Sequence, residues 1–130
     1  MRMNATRTAT VPAPAVSALE GLFKGFADPT RIRILNLLAA GELCVCDLVA
    51  LLRLSQPTVS RHLAYLRRAG LVAARPALQF TYYRLADPEN PVHQALVACV
   101  RSRFTGIVAL ERERAAAEIR VAERQARPCR

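Results

Sequence analysis

Residues 55–63 have the sequence Ser55-Gln56-Pro57-Thr58-Val59-Ser60-Arg61-His62-Leu63, and they are the most informative segment of the chain for its fold. Ser55 is a favourable N-cap and Pro57 suits a first turn, so the stretch predicts the start of a helix. At about 100° per residue, Val59, Leu63 and Leu66 gather on one side of that helix, and polar or basic side chains face the other way. Such a helix is suited to dock on its own domain with one side and to enter a major groove of DNA with the other.

The polar side of this helix supplies most of the candidate DNA contacts. Side chains in the first two turns are expected to reach base edges, and an arginine there suits guanine or phosphate. Arginines further along the helix are expected to bind phosphate, which carries no sequence information. For His62, on the flank between core and groove, a structural hydrogen bond is favoured over metal ligation. The predicted DNA-binding residues are Ser55, Gln56, Thr58, Ser60, Arg61, His62, Arg67 and Arg68 on or next to the helix, with Arg75 and Gln79 near the tip of a following hairpin.

The charge distribution also favours a polyanionic partner. The chain has 130 residues, a formal net charge of +9 and a single lysine, Lys24. No acidic residue occurs from Arg53 to Leu85, although several arginines do. Double-stranded DNA is the expected partner of such a basic segment. The alternative, that the arginines only reflect the base composition of a genome, applies better to the C-terminal part of the chain.

Apolar patterning and cysteine usage limit the class of protein. No run of eighteen or more uncharged apolar residues occurs, so no membrane span or membrane partner is expected. Met1–Pro14 lacks an apolar stretch long enough for a signal peptide. Four cysteines in such a chain favour thiol and metal chemistry over structural disulfides. We therefore expect a cytoplasmic protein.

The chain divides into three predicted segments. Residues 1–15 are rich in Thr, Ala and Pro and are expected to be a disordered lead. Residues 16–107 are expected to form one domain for DNA binding and dimerisation. Residues 108–130 are polar with mostly alanine as apolar content, which predicts a helical extension or a tail.

Within the central segment, four helices precede a hairpin and a final helix. Asp28 is a predicted N-cap with Pro29 at the first helical position, and the third helix is predicted from about Leu43 to Arg53. Two short β-prone runs, Leu71–Arg75 and Phe80–Leu85, are expected to be joined by residues 76–79. The expected fold is mostly α with a small β-hairpin: a dimeric winged helix-turn-helix of order α-α-α-α-β-β-α.

Cys44 and Cys46 stand at the predicted start of the third helix, just before the DNA-binding stretch. Thiolates are soft ligands suited to trivalent arsenic and antimony, cadmium, lead and zinc. On an ideal helix, residues two apart differ by about 200°, so the two side chains would face opposite ways. The spacing therefore predicts that one ion binds both thiolates only if the first turn is irregular or unwinds. Binding would then distort the helix that positions the DNA-contacting residues.

The chain from about Leu19 to Phe104 resembles the ArsR/SmtB family of bacterial metal-responsive repressors. This resemblance implies a homodimer that binds operator DNA when empty and releases it when an effector binds. It also implies that the first and last core helices form the dimer interface. The motifs that carry it are Asp28-Pro29-Thr30-Arg31-Ile32-Arg33-Ile34-Leu35, Glu42-Leu43-Cys44-Val45-Cys46-Asp47-Leu48, the stretch 55–63, Leu66-Arg67, Ala69-Gly70-Leu71 and Tyr82-Tyr83-Arg84-Leu85.

Within that family, the cysteine motif resembles the arsenite-responsive branch, in which a third cysteine lies three residues beyond the pair. Here Val49 occupies that position. A cadmium- and lead-responsive branch takes further thiolates from the N-terminal arm, but no cysteine precedes Cys44. A third family site uses Asp and His on the last helix. Asp87 and His93 are too far apart for that motif, so we do not expect this site.

The third donor of the predicted site is open. Trivalent arsenic takes three thiolates in a pyramid, whereas a methylated arsenical needs only two. Cys99 is the preferred candidate, although a cysteine among Leu96, Val100 and Phe104 also suits a small apolar core position. Cys129 is a weaker candidate close to the C-terminal end. Whether the site lies within one subunit or bridges two is open as well.

The sequence therefore predicts a non-enzymatic repressor with Cys44, Cys46 and Cys99 as metalloid ligands, arsenite or antimonite as effector, and no organic cofactor. Alternatives keep the DNA-binding element but change the signal to cadmium, lead, a methylated arsenical, thiol oxidation or persulfidation. A different class is a constitutive DNA-binding protein with inert cysteines. A thiol oxidoreductase is disfavoured, because its motif has two residues between the cysteines in a thioredoxin-like setting.

Overall fold

A computed structural model of the chain describes residues 15–126. The helices in this range are α1 (Val16–Phe26), α2 (Pro29–Leu38), α3 (Val45–Leu52), α4 (Gln56–Arg68), α5 (Pro91–Ser102) and α6 (Val108–Ala126). The strands are β1 (Leu43–Cys44), β2 (Val72–Ala77) and β3 (Phe80–Leu85). The predicted disordered lead lies almost entirely, and Cys129 entirely, outside the described residues.

The two predicted helix starts are confirmed. The Asp28 carboxylate caps α2 by accepting from the backbone N–H groups of Thr30 (2.8 Å) and Arg31 (3.1 Å). Ser55 caps α4 by accepting from the Thr58 N–H at 3.4 Å. Both contacts satisfy donors that the first turn of a helix leaves without an intrahelical partner.

The predicted hairpin is present, but its turn is shorter than expected. Pro76 and Ala77 belong to β2 and pair with Thr81 and Phe80, so the turn is not the four residues 76–79. Proline is tolerated there because β2 is an edge strand of the sheet, which has the order β1-β3-β2. Leu78 lies in the turn with a φ of 59°, a left-handed conformation that a leucine rarely adopts.

The predicted third helix is wrong at its start. Leu43 and Cys44 form the short strand β1, antiparallel to β3, in which Leu43 pairs with Tyr83 and Cys44 with Tyr82. Helix α3 therefore begins at Val45. No local pattern predicts this pairing, because the partner strand is about 40 residues away along the chain. Helix α3 ends at Leu52, and Arg53 follows in a left-handed conformation (φ 57°) that turns the chain toward α4.

One core joins the helices to the inner side of the sheet. Its fully buried members are Ile34, Leu35, Leu37, Leu38, Leu43, Leu48, Val59, Leu63, Leu66, Leu71 and Val100. The C-terminal helix α6 packs on α2 and α3, with Ala117 fully buried. Among residues 15–126, no helix is both long and apolar enough to cross a membrane.

Candidate DNA-binding face and cysteine site

Helix α4 has the two-sided character that its sequence predicts. Val59, Leu63 and Leu66 are fully buried against the core. Arg61, Arg67 and Arg68 are exposed on the rest of its surface. An apolar seam behind an exposed basic side positions this helix as the recognition helix of a helix-turn-helix.

The first turn of α4 presents a small set of polar groups at the surface. The Ser55 hydroxyl donates to the Thr58 hydroxyl (2.9 Å), and the Gln56 amide donates to the Ser60 hydroxyl (3.1 Å). These side chains therefore hold one another in place and keep further donors and acceptors directed outward. This is the end of a recognition helix from which base edges are contacted.

His62 lies apart from these groups, on the flank of α4 that faces α2. Its Nδ1 is 4.0 Å from the capping Asp28 carboxylate, and its side chain is mostly buried. Burial lowers the pKa of His62 below its ordinary value, and the neighbouring Asp28 charge opposes that shift. His62 thus packs between two helices, which agrees with the structural role that we favour over metal ligation.

The two predicted hairpin contacts differ in their surroundings. Gln79 is exposed in the turn itself. Arg75 lies within β2, and its guanidinium forms a two-bond ion pair with Glu42 (2.6 and 3.0 Å) over the Tyr82 ring. The Arg75 hydrogen bonds lower the pKa of the Glu42 carboxyl, which stays ionised. In this conformation, Arg75 connects the hairpin to the segment before Cys44.

Cys44 and Cys46 meet directly in the structure. They form a disulfide with their Cα atoms 5.3 Å apart; Cys44 is buried and Cys46 is exposed. The premise that they face opposite sides of a helix is wrong, because Cys44 is the extended residue before α3 (φ −86°, ψ 168°). Both sulfurs therefore converge without any unwinding of α3. The two sulfurs are close enough to share one thiophilic atom once the disulfide is reduced.

Asp47 is the third ligating group at this position. One carboxylate oxygen of Asp47 and the two sulfurs lie within 4.8 Å of one another, the only such group of three His, Cys, Asp or Glu residues in the range 15–126. Asp47 is buried and accepts from the Cys44 backbone N–H at 3.1 Å, the return half of a capping box. The carboxylate is also bound by two arginines of α6, Arg120 and Arg124.

The other predicted ligands do not join this group within the described chain. Cys99 is half-buried on α5 and has a free thiol. Val49, at the family position for a third cysteine, is partly buried against the core. The structure thus brings together Cys44 and Cys46 but does not add Cys99 to them within one subunit.

Sequence reasoning missed three residues at the cysteine site. Asp47 belongs to the cysteine motif, but a soft effector favours a third thiol over a carboxylate, so the sequence does not predict Asp47 as part of the site. Arg120 and Arg124 had no local signal, since they reach Asp47 from more than 70 residues further along the chain. Only the docking of α6 shows that these arginines belong to the site.

Helices α3 and α4 followed by the hairpin β2–β3 define a winged helix-turn-helix protein. The sequence profile of the family described as "Bacterial regulatory protein, arsR family" matches residues 28–74. A solved structure, the homodimeric winged helix-turn-helix DNA-binding domain Mb0332 from Mycobacterium bovis, has a TM-score of 0.57 and 30% identity; the match covers 66% of this chain and 77% of that one. The chain belongs to the arsR family of bacterial regulatory proteins, and the predicted winged helix-turn-helix is confirmed.

The relatives of this chain include proteins whose names refer to arsenic. The chain is 55% identical over 71 residues to the arsenic resistance transcriptional regulator ArsR1 of Pseudomonas putida, covering 54% of this chain and 55% of that protein. It is 49% identical over 77 residues to the arsenical resistance operon repressor of Escherichia coli, covering 58% and 65%. The matched region thus spans about half to two thirds of the length of these relatives.

Proposed function

We propose that the chain is a homodimeric repressor that binds operator DNA and dissociates when arsenite or antimonite binds Cys44 and Cys46. The observation that carries this proposal is the convergence of the two sulfurs at the start of α3, the helix directly before the recognition helix. The arsenic-resistance names of several relatives support the choice of effector. The homodimeric state of the Mycobacterium bovis domain supports dimerisation.

The binding step uses the reduced cysteine pair. Arsenite is neutral As(OH)₃ near neutral pH. Each thiol forms one As–S bond, and its proton leaves with one arsenic hydroxyl as water. Two thiols therefore release two waters and leave a neutral adduct with one remaining hydroxyl. Soft sulfur donors favour this exchange over binding of hard cations. We keep Cys99 as a proposed third donor only if it comes from the other subunit of a dimer. There its thiol would replace the last arsenic hydroxyl, which leaves as water.

Effector binding acts on the recognition helix through α3. Cys44 is fixed by its pairing with Tyr82 of β3, whereas Cys46 lies in the first turn of α3. An arsenic atom bound to both sulfurs therefore fixes the position of the first turn of α3 relative to β3. Helix α3 packs on α4, so a shift of its first turn changes how α4 is presented to DNA. In a dimer, both recognition helices must fit successive major grooves, so a small reorientation lowers affinity.

The test is release of DNA by arsenite, followed by fluorescence anisotropy. A labelled fragment from upstream of the protein's own gene is bound by the reduced protein and titrated with arsenite. Wild type is expected to release the fragment, and the double variant Cys44→Ser, Cys46→Ser is expected to stay bound. Serine is a favourable N-cap, so the substitution at position 44 keeps the start of α3 intact.

Two single variants serve as controls for the ligand set. Cys129→Ser is expected to respond like wild type. A lost response in Cys99→Ser places the third donor on α5, and an unchanged response restricts the site to the pair. Arsenite release that persists in the double variant contradicts the proposal.

A response to thiol oxidation is a second candidate, because Cys44 and Cys46 form a disulfide in the structure. Two thiols give up two protons and two electrons to an oxidant such as hydrogen peroxide, which is reduced to two waters. This alternative predicts that peroxide releases the DNA fragment without arsenite and that a thiol reductant restores binding. If peroxide leaves the complex intact, oxidation is not the signal.

A further inference from the structure

We propose that Arg120 and Arg124 of α6 determine the effector specificity of the cysteine site. By holding the Asp47 carboxylate, they keep it from becoming a metal ligand, so the site presents two sulfurs and no third donor from residues 15–126 of its own subunit. This inference rests on the proposed function at Cys44 and Cys46, and it explains why such a site would accept a neutral metalloid and disfavour a divalent cation.

Asp47 is placed to be a ligand. Its Oδ2 lies 3.3 Å from the Cys44 sulfur, and the carboxylate is buried beside both cysteines. Two thiolates and a carboxylate oxygen form a donor set that zinc or cadmium accepts. On proximity alone, therefore, the three side chains would be expected to bind a divalent metal.

Both oxygens of that carboxylate are already engaged. Oδ1 accepts from Arg120 Nη1 at 3.1 Å, and Oδ2 accepts from Arg124 Nη2 as well as from the Cys44 backbone N–H. Arg124 is itself held on other sides: its Nη1 donates to the Glu42 carbonyl (3.1 Å), and its guanidinium lies 5.0 Å from the centre of the Tyr82 ring. The carboxylate would have to exchange two charged hydrogen bonds for a metal bond.

The arginines also place positive charge beside the sulfurs. Arg124 Nη2 lies 3.8 Å from the Cys44 sulfur. A divalent cation bound at that sulfur would lie close to Arg124 and be repelled by its charge, and partial burial of the site reduces the screening by water. A divalent cation bound at the sulfurs is therefore opposed by Arg124, whereas a neutral arsenic adduct is not. The adduct also completes its pyramid with its own hydroxyl and does not require Asp47.

The position of the two arginines does not depend on Asp47 alone. Glu113 of α6 forms a salt bridge with Arg33 of α2 (2.6 Å), and Asn36 of α2 donates to the Leu110 carbonyl (2.8 Å). These contacts lie about two turns or more from Arg120 along α6. The helix should therefore stay docked when the arginine side chains are shortened, and the substitution changes the site without removing the helix.

The test measures cadmium and arsenite binding to the reduced full-length protein without oxygen. Cd²⁺ binding is measured by the thiolate-to-metal charge-transfer absorbance in the ultraviolet. Arsenite binding is measured by competition between the protein and a small dithiol for arsenite. The double variant Arg120→Gln, Arg124→Gln is expected to gain about tenfold or more in Cd²⁺ affinity, the size of effect that outer contacts have on metal ligands. Adding Asp47→Asn should abolish this gain, and in wild type Asp47→Asn alone should not lower Cd²⁺ affinity.

Two matched variants separate the carboxylate effect from a loss of α6 docking. Arg112→Gln removes an exposed arginine of α6, and Arg33→Gln weakens α6 docking away from the cysteines. Neither is expected to gain Cd²⁺ affinity. If the double variant does not fold by circular dichroism, Arg120→Gln alone, at a half-exposed side chain, should still show a smaller gain.

A folded arginine variant with unchanged Cd²⁺ affinity overturns the inference. So does a wild-type protein whose Cd²⁺ binding depends on Asp47. The outcome is separate from that of the proposed function: wild type that fails to bind arsenite contradicts the function, while an Asp47-dependent gain of Cd²⁺ affinity in the variants still supports the role of the arginines.

Discussion

The recognition helix α4 and the C-terminal helix α6 are both rich in arginine but use it in opposite ways. Arg61, Arg67 and Arg68 of α4 are exposed at the surface. Arg120 and Arg124 of α6 instead bind the buried carboxylate of Asp47. Net charge alone therefore does not locate a nucleic-acid surface. Part of the positive charge of this chain is used to hold its own helix and to surround its cysteine site.

The difference follows from the apolar content of the two helices. Helix α4 has Val59, Leu63 and Leu66 on one side, so burial of these side chains fixes it and leaves its arginines outward. Helix α6 buries only Leu110 and Ala117. It is fixed largely by polar contacts, among them the Arg114 donations to Asn36 (3.1 Å) and to the Val100 carbonyl (2.7 Å).

The largest expected effect tests how firmly α6 is docked. A Cβ added at Gly41 would lie 2.9 Å from a methyl group of Val121 on α6, and the φ of Gly41 is +145°. Gly41→Ala should lower the free energy of unfolding by about 3 kcal/mol, since backbone strain adds to overpacking. Urea unfolding followed by circular dichroism measures this loss.

Gly70→Ala is the matched control for that substitution. Gly70 also has a positive φ (+82°), but nothing lies within 4 Å of an added Cβ. It should therefore show the strain alone, about 1–2 kcal/mol. Equal losses at Gly41 and Gly70 would mean that α6 moves aside freely, in contradiction to a rigid α6 at the cysteine site.

This comparison also shows what the sequence can and cannot predict. The caps Asp28 and Ser55 and the apolar stripe of α4 are local patterns, and each has the predicted position in the structure. The strand at Cys44 and the arginines on Asp47 depend on pairing between distant segments, for which no local pattern exists. The motif identifies the cysteine pair but does not predict its geometry, because the predicted third helix starts two residues before α3 does.

The next prediction compares two exposed arginines of α4, Arg61 and Arg67, in their contributions to DNA binding. Arg61→Ala is expected to weaken operator binding by about 1–3 kcal/mol, because Arg61 lies in the first two turns of α4, which we propose reach base edges. Arg67→Ala should instead lower the slope of log affinity against log salt concentration by about one, because one phosphate contact is lost. Anisotropy titrations at several salt concentrations measure both. Arg112→Ala, an exposed arginine on α6, should change neither quantity; an equal loss there would contradict the assignment of the DNA-binding face to α4.

A smaller effect extends the comparison to the histidines, which both lie inside the fold. Burial lowers the pKa of His93, against the opposing charge of Glu89, and burial likewise lowers the pKa of His62. The unfolded chain then binds more protons just below the ordinary histidine pKa of about 6.5. Stability is therefore complete above that pH and is lost as the pH falls toward the folded-state values. Urea unfolding at pH 7.5 and 5.5 should show this loss, and His93→Gln should reduce it; a pH-independent stability would contradict the burial of neutral histidines.

The smallest effect concerns the hairpin tip, where an apolar side chain is exposed to solvent. Leu78 is 77% exposed and has a φ of 59°. Leu78→Gly should raise the free energy of unfolding by about 0.5–1 kcal/mol, because relief of about 1–2 kcal/mol of left-handed strain exceeds the entropic cost of glycine. Gln79→Gly, whose φ is not positive, should lower stability instead. If Leu78→Gly stabilises the protein but weakens operator binding, the strained leucine contacts DNA, and the basic face extends from α4 to the hairpin tip. If operator binding is unchanged, the arginines of α4 bind DNA without a contribution from Leu78.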